Sequence, residues 1–296
     1  MVHQPATTLS QQQTVTLIAT QDYGNQLLFT KEASFSHPTT ALHSLQQVAK
    51  VNTTYGGGFV NAINGISSTF RVGSDQPQDW LFYVNGILSP IGSQYYQVHE
   101  GDVIHWDYHY WSDTTASTAI IGEFPEPFLH GFQGNTYDTS LVYTQNVQEI
   151  AQQLRSTLVD YGIDALLVSI DELTKDIQTT HNLILIGTIE GHPLISDIMA
   201  DASDIGLFIR WEESQICTYD ALLKCNQRFA EAGCVIAMQN HWNPKGNMHG
   251  ENVIWMITGS TVEQVQQACF VLCEQPDAFV HAASAIIVEG EIVKVP

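Results

Sequence analysis

The sequence predicts two unlike domains in one chain, an α+β domain followed by an α/β layered one. Three observations carry this. Up to Trp111, short strand-like runs surround a single helical stripe. Beyond Phe128, longer apolar runs alternate with amphipathic helices. Between them lies "SDTTASTAIIGEFPEPF", small polar residues followed by two prolines, which has the composition of a junction. A length of 296 residues also exceeds the roughly 100–200 usual for one domain. The expected bounds are a disordered leader over 1–13, a first domain over 14–111, a linker over 112–128 and a second domain over 129–296.

Within the first domain, Val15, Leu17 and Ala19 alternate with Thr16, Ile18 and Thr20, as in a strand with one wetter face, and "LLFTKEASF" returns as its partner. After Pro38, Thr39 or Thr40 caps a helix on which Leu42, Leu45, Val48 and Ala49 share a stripe. Short runs follow: "GFVNAINGI", "DWLFYVNGI", "QYYQV" and "VIHWDYHYW", punctuated by Asn64-Gly65, Asn85-Gly86 and Gly101. A hairpin, one helix and further strands describe a sheet wrapped around a helix, a β-grasp pattern.

In the second domain, strand "LVYTQN" leads to a helix over 146–161 closed by Gly162. Strands "ALLVSI" and "NLILIG", a helix after Pro193, strand "GLFIRW", a helix over 218–232 closed by Gly233, strands "CVIAMQN" and "VIWMITG", a helix after Ser260 and strand "AIIVEG" complete the expectation.

A formal charge of -21 argues against phosphate backbones and anionic membranes as partners, so nucleic acid is excluded. Neither half is basic: up to Glu123 there are 9 acidic and 3 basic residues, and 22 and 7 after it. Residues 1–13 lack the basic and apolar regions of a secretion signal and read as a polar leader, as a mature, trimmed chain would begin. All five cysteines lie in the second half, with no C-x-x-C pair and at least one without an intrachain partner; Cys269 and Cys273, one helical turn apart, could share a face, and buried free thiols explain that pair best.

The ordered set "TTYGGGFVNAINGI", "DWLFYVNG" and "YYQVHEGDVIHWDYHYW" resembles the transcobalamin-type β-grasp domain, the carboxy-terminal module of animal cobalamin carriers, over residues 14 to 111. Similar modules occur in bacterial surface proteins. The resemblance implies one face of a corrin ring lying against main chain of the glycine-rich segment and side chains of the Trp strand. By motif position, the implied contacts are Tyr55, Gly57, Gly58, Phe59, Asn64 and Gly65, then Trp80, Phe82, Tyr83 and Asn85, then Tyr95 and Tyr96. The implied cofactor is cobalamin or a related corrinoid, carried as ligand. Unlike the animal carriers, this chain has an α/β domain after the module rather than a helical barrel before it, so a cleft between the two domains is the expected seat.

Two further segments bear on chemistry. Period-2 geometry puts His105, Asp107 and His109 on one strand face, where they form either a metal set or the solvated face of an outer strand. "MQNHWNPKGNMHGEN" follows a strand, and its His241 and Trp242 either supply an axial imidazole and a stacking indole or sit in an ordered hairpin. His105, His109, His241 and His249 are thus the candidate cobalt ligands. There is no G-x-S-x-G, H-E-x-x-H or phosphate-loop motif, and adjacent carboxylates such as Asp171-Glu172 read as solvated charges, so no catalytic residue and no enzyme is expected. The expectation is an extracytoplasmic bacterial corrinoid-binding protein, secreted or lipid-anchored with its native leader absent, passing ligand to a membrane importer. The alternative is an envelope adhesion or scaffold protein binding glycan or protein through the aromatic sheet.

Overall fold

The computed structural model describes residues 12–70, 76–112, 117–246 and 249–296. All but the last two positions of the expected leader lie outside these residues, and Gln13 already opens a strand. The fold is mixed α+β with several sheets.

The first domain starts with the hairpin β1 (Gln13–Gln21) and β2 (Gln26–Phe35), followed by helix α1 (Ala41–Val48). Thr40 caps that helix, its hydroxyl accepting from the His43 amide at 3.2 Å. Then come β3 (Val51–Thr54), β4 (Phe59–Ile63), β5 (Ile66–Ser67), β6 (Gln78–Val84), β7 (Ile87–Leu88) and β8 (Val103–Tyr110). The main sheet runs β2-β1-β8-β6-β7, with β1 and β8 parallel, and β3-β4-β5 form a small separate sheet. Asn64-Gly65 and Asn85-Gly86 make two-residue turns, with φ of 50° and 93° and of 50° and 74°. Left-handed conformation at both turn positions matches the twist of the flanking strands, which is why Asn-Gly marks hairpins. "QYYQV" is not a strand: it is a turn whose only ladder contact is a bridge from Gln97 to Thr40. Its Tyr96 serves side-chain bonding instead, reaching Asp102.

The second domain contains β9 (Thr139–Tyr143), α2 (Gln148–Asp160), β10 (Ala165–Ser169), α3 (Lys175–Thr180), β11 (Asn182–Thr188), α4 (Pro193–Ala200), β12 (Ile209–Glu212), β13 (Gln215–Tyr219), β14 (Cys225–Phe229), β15 (Gly233–Gln239), β16 (Val253–Gly259), α5 (Val262–Glu274), β17 (Ser284–Val288) and β18 (Glu291–Val295). Its sheet runs β10-β9-β11-β16-β15-β17-β18, parallel from β10 to β16 and antiparallel beyond. Helices α2 and α5 cover one face and α4 the other, so the central strands are buried on both sides and read as continuous apolar runs.

The expected helix over 218–232 is a correction. The segment holds the end of β13 and all of β14, which pair antiparallel with each other, and β12 on the far side of β13 completes a sheet of their own. Its Ala, Leu, Lys and Gln content favours helix locally, but Asp220 accepts from the amides of Leu222 and Lys224, and Leu223 turns the chain at φ 58°. Cross-strand pairing overrides the propensity.

The junction is packed. Ile120, Ile121, Glu123, Glu126 and Phe128 are buried, and the Gly122 carbonyl accepts from the His281 amide at 3.1 Å. One apolar cluster runs from Leu17, Leu45 and Trp106 through Phe128 and Phe132 to Trp255 and the α2 and α5 helices. The two domains therefore share a core.

Candidate functional site

Strand alternation sends Trp80, Phe82, Trp106 and Tyr108 to the same face of the main sheet. Phe82 stacks on Trp106 with centroids 4.8 Å apart, and the Trp80 indole donates to the Ile66 carbonyl at 3.0 Å. Where this face meets β4 and the loop after β7, an open groove of about 280 Å³ forms, lined by Gly58, Phe59, Trp80, Phe82, Pro90 and Trp106. Its rim is a left-handed turn: Tyr55, Gly56 and Gly57 have φ of 52°, 68° and 100°. A Cβ on Gly57 would stand 2.8 Å from Gln94 Oε1, so glycine lets this turn close on the 89–96 loop. That close approach places Tyr55, 90 % exposed, and Tyr95, 71 % exposed, on adjoining loops at the rim.

The structure thus gathers Gly58, Phe59, Trp80 and Phe82 into one groove and sets Tyr55, Gly57 and Tyr95 beside it. The remaining implied contacts are elsewhere. Tyr83 faces the opposite side of the sheet, fully buried, its hydroxyl donating to the Ser117 carbonyl. Tyr96 is buried and donates to Asp102 Oδ2 at 3.0 Å, and burial first, then this carboxylate, pushes its phenol well up. Asn85 is fastened from the turn to Asp102 Oδ1, the Gly131 carbonyl and the Val103 amide. Asn64 and Gly65 form the β4–β5 turn, with Asn64 Oδ1 accepting from the Lys50 amide. These residues build the frame and do not line the groove.

The His105, Asp107 and His109 face is neither solvated nor at an outer strand. Strand β8 lies between β1 and β6, and the second domain covers that face. Thr20 Oγ1 donates to Asp107 Oδ1 at 2.5 Å and meets His105 Nε2 at 2.6 Å, while His105 Nδ1 meets Glu123 Oε1 at 2.8 Å. Asp107 Oδ2 accepts from the Tyr23 amide at 3.0 Å and from His109 Nδ1, and its Oδ1 accepts from the Gly24 amide at 3.1 Å. Burial alone would raise the Asp107 carboxyl, but the His109 hydrogen bond and the neighbouring imidazoles outweigh it and hold the group down at about 2. Both nitrogens of His105 are committed, and no set of three or more His, Cys, Asp or Glu among the described residues is arranged to hold a metal. His281 completes the junction, its ring 5.6 Å from that of His105. Burial, then the His105 charge, lowers its imidazole to about 4.

In the loop after β15, His241 lies 4.4 Å from the Trp242 ring and burial lowers its imidazole, while Trp242 packs on the second domain's own core. Neither lines the groove. His249 is exposed at the far end of that loop. Its neighbour Gly250 is so close to Pro90 that a Cβ would come within 2.8 Å of Pro90 Cδ, which brings the loop to the groove's edge.

The implied contacts do not gather in a cleft between the two domains. A recess of about 690 Å³ opens between the β1–β2 hairpin and the β13–β14 turn, and His109 is the one implied or candidate residue in its wall.

A family model described as a domain of unknown function (DUF4430) matches residues 39–110. The matched stretch runs from α1 to β8 and contains every residue of the groove's wall. A crystal structure from Ruminococcus gnavus, of a protein provisionally named as metal binding, is 13% identical, covers 34% of this chain and 99% of its own, and superposes with a TM-score of 0.26, too low to carry weight for this chain. No curated protein matches the sequence.

Sequence reasoning missed Thr20, Glu123 and His281. Their roles come from pairings across 18 residues for Glu123 with His105 and 85 for Thr20 with His105, and from the packing of His281 on His105, and only the parallel β1–β8 register, Thr20 opposite Asp107, would have drawn Thr20 in.

Proposed function

We propose that the chain is a non-enzymatic corrinoid-binding protein that seats one face of cobalamin, or a related corrinoid, over the groove. The observation that carries the reading is the convergence of the glycine-rich turn and the Trp strand on one open recess, with two large aromatic side chains left exposed at its rim. Two exposed rings on adjoining loops beside an aromatic-lined recess form a contiguous apolar surface of the kind that binds a flat ligand. The similarity of the three ordered motifs to the transcobalamin-type module supports the choice of ligand. A recess of about 280 Å³ does not enclose a corrinoid. It covers part of one face, and at roughly 25 cal/mol per Å² a few hundred Å² of buried ring suffices for useful affinity. The His249 loop stands beside Pro90, where it can meet the ligand's edge. On this reading the protein works outside the cytoplasm or at the cell surface and hands its ligand to a membrane importer.

The test is titration of the full chain with cyanocobalamin and with cobinamide, followed by corrin absorbance and calorimetry. Saturable binding at micromolar concentrations, weakened by Tyr55→Ala and Tyr95→Ala, is the expected result. Absence of both heat and spectral change overturns it.

A further inference from the structure

Helix α5 carries two of the five cysteines where it packs against α2. Cys269 is fully buried in the core, and Cys273, one turn later, is half-buried beside it. Their sulfurs stand 3.9 Å apart. The Cys269 thiol also donates to the Ile150 carbonyl at 3.7 Å, and the Thr157 hydroxyl bonds Cys273, so α2 fixes the pair from the other side. Neither thiol takes part in the groove or the junction. A buried free cysteine usually serves as a small apolar filler, but that role does not explain a second thiol aligned with it at the helix's wetter edge.

The spacing limits what the pair can do. Positions one turn apart on a helix hold their Cβ atoms about 5–6 Å apart, whereas a disulfide needs roughly 3.5–4.5 Å. Oxidation to a disulfide would therefore have to distort α5, which runs unbroken from Val262 to Glu274. A single ion bridges the gap without distortion: two metal–sulfur bonds of about 2.3 Å reach sulfurs 3.9 Å apart at an angle of roughly 115°. That angle is close to trigonal, and a pair of thiolates selects soft ions. The pair is also prepared for ionisation. The Cys269 hydrogen bond draws the Cys273 thiol down, while the Cys273 hydrogen bond, then burial, pushes Cys269 well up, so the first proton leaves the sulfur nearer water. We propose that Cys269 and Cys273 form a binding site for a soft monovalent cation of the copper(I) class, entered from the Cys273 side. Both thiols release their protons to solvent as the ion binds, no electron moves, and the third position on the ion is left for a ligand from solution.

The experiment titrates the full, reduced chain with copper(I) in the absence of oxygen, against bicinchoninate as a competing chelator, and follows the thiolate-to-copper charge-transfer absorption in the near ultraviolet. The chain is expected to take up the ion saturably and to gain that absorption. Second-shell partners of a metal are worth 10–100-fold in affinity, so removing one of only two thiolates should cost about a hundredfold or more. Cys273→Ser, at a half-exposed position that leaves the core intact, is expected to show this loss, and Cys269→Ser the same. Cys225→Ser, which removes the half-buried thiol on β14, should leave affinity and absorption unchanged. If Cys269→Ser does not fold, the Cys273 variant decides the matter. Failure of the full chain to take up copper(I), or uptake that survives in Cys273→Ser, overturns the proposal. Neither result bears on cobinamide binding at the groove.

Discussion

Trp80 and Tyr55 show two ways an aromatic side chain can serve one surface. Trp80 is 5 % exposed, with its indole tied to the Ile66 carbonyl and its ring against Tyr108, so most of it belongs to the core and only an edge reaches the groove. Tyr55 touches almost nothing. Trp80→Ala should therefore cost about 3–5 kcal/mol of stability in a denaturant titration, whatever it does to binding. Tyr55→Ala should leave the unfolding midpoint unchanged and weaken cobinamide binding, and a loss of affinity without a loss of stability is the signature to look for. At the junction, Thr20→Val removes a donor to Asp107 and a partner of His105 Nε2 while keeping the shape. Leaving those buried atoms unsatisfied should destabilise by about 1–3 kcal/mol in thermal unfolding. A negligible effect would mean that water replaces the hydroxyl there.

At the level of elements, the β11–α4 connection makes a pH prediction. His192 precedes Pro193 at the start of α4, fully buried, its Nε2 donating to the Val142 carbonyl at 3.2 Å while Nδ1 has no partner. Burial lowers its imidazole to about 4 from an ordinary value near 6.5. The folded form thus prefers the neutral ring: its contribution is complete above pH 6.5 and is lost as the pH falls toward 4, on the order of 3 kcal/mol in all. His192→Gln should flatten the decline of stability across that window. Much at this scale was legible in advance. The Asn-Gly turns, the Thr40 cap and the buried central strands each carry a local signature, and the structure contains them all. Segments whose structure depends on distant partners were not legible: 218–232 has helical composition yet pairs as a hairpin, and "QYYQV" alternates like a strand yet turns so that Tyr96 can reach Asp102. Of the contacts implied by the three motifs, Gly58, Phe59, Trp80 and Phe82 do meet in one groove, whose wall also draws on the 88–93 loop and Trp106. The burial of His105, Asp107 and His109 could not be read in advance, because what covers a strand is decided by residues far along the chain.

For the whole molecule, the decisive feature is the buried junction. The shared core and the chain of contacts from Glu123 through His105 and Thr20 to Asp107 predict one cooperative unfolding transition, with tryptophan fluorescence and far-UV circular dichroism melting together; two separated transitions would show the domains to be energetically independent. The acid limb should have two parts. His281, with its folded value lowered to about 4, withdraws stability as the pH falls below about 6.5, and Asp107, held at about 2, withdraws its share only below the ordinary carboxyl range near 3.8. His281→Leu should therefore remove part of the loss between pH 6.5 and 4 and leave the lower limb in place.

The packed junction also limits what can be cut and transplanted. A fragment ending at Trp111 would retain the groove yet lay bare two imidazoles, a carboxylate and the Tyr83 ring, all of which the intact chain keeps from water. Anyone wishing to graft this module onto another scaffold would have to carry the 117–132 strap with it and re-engineer the strand face that now leans on His281.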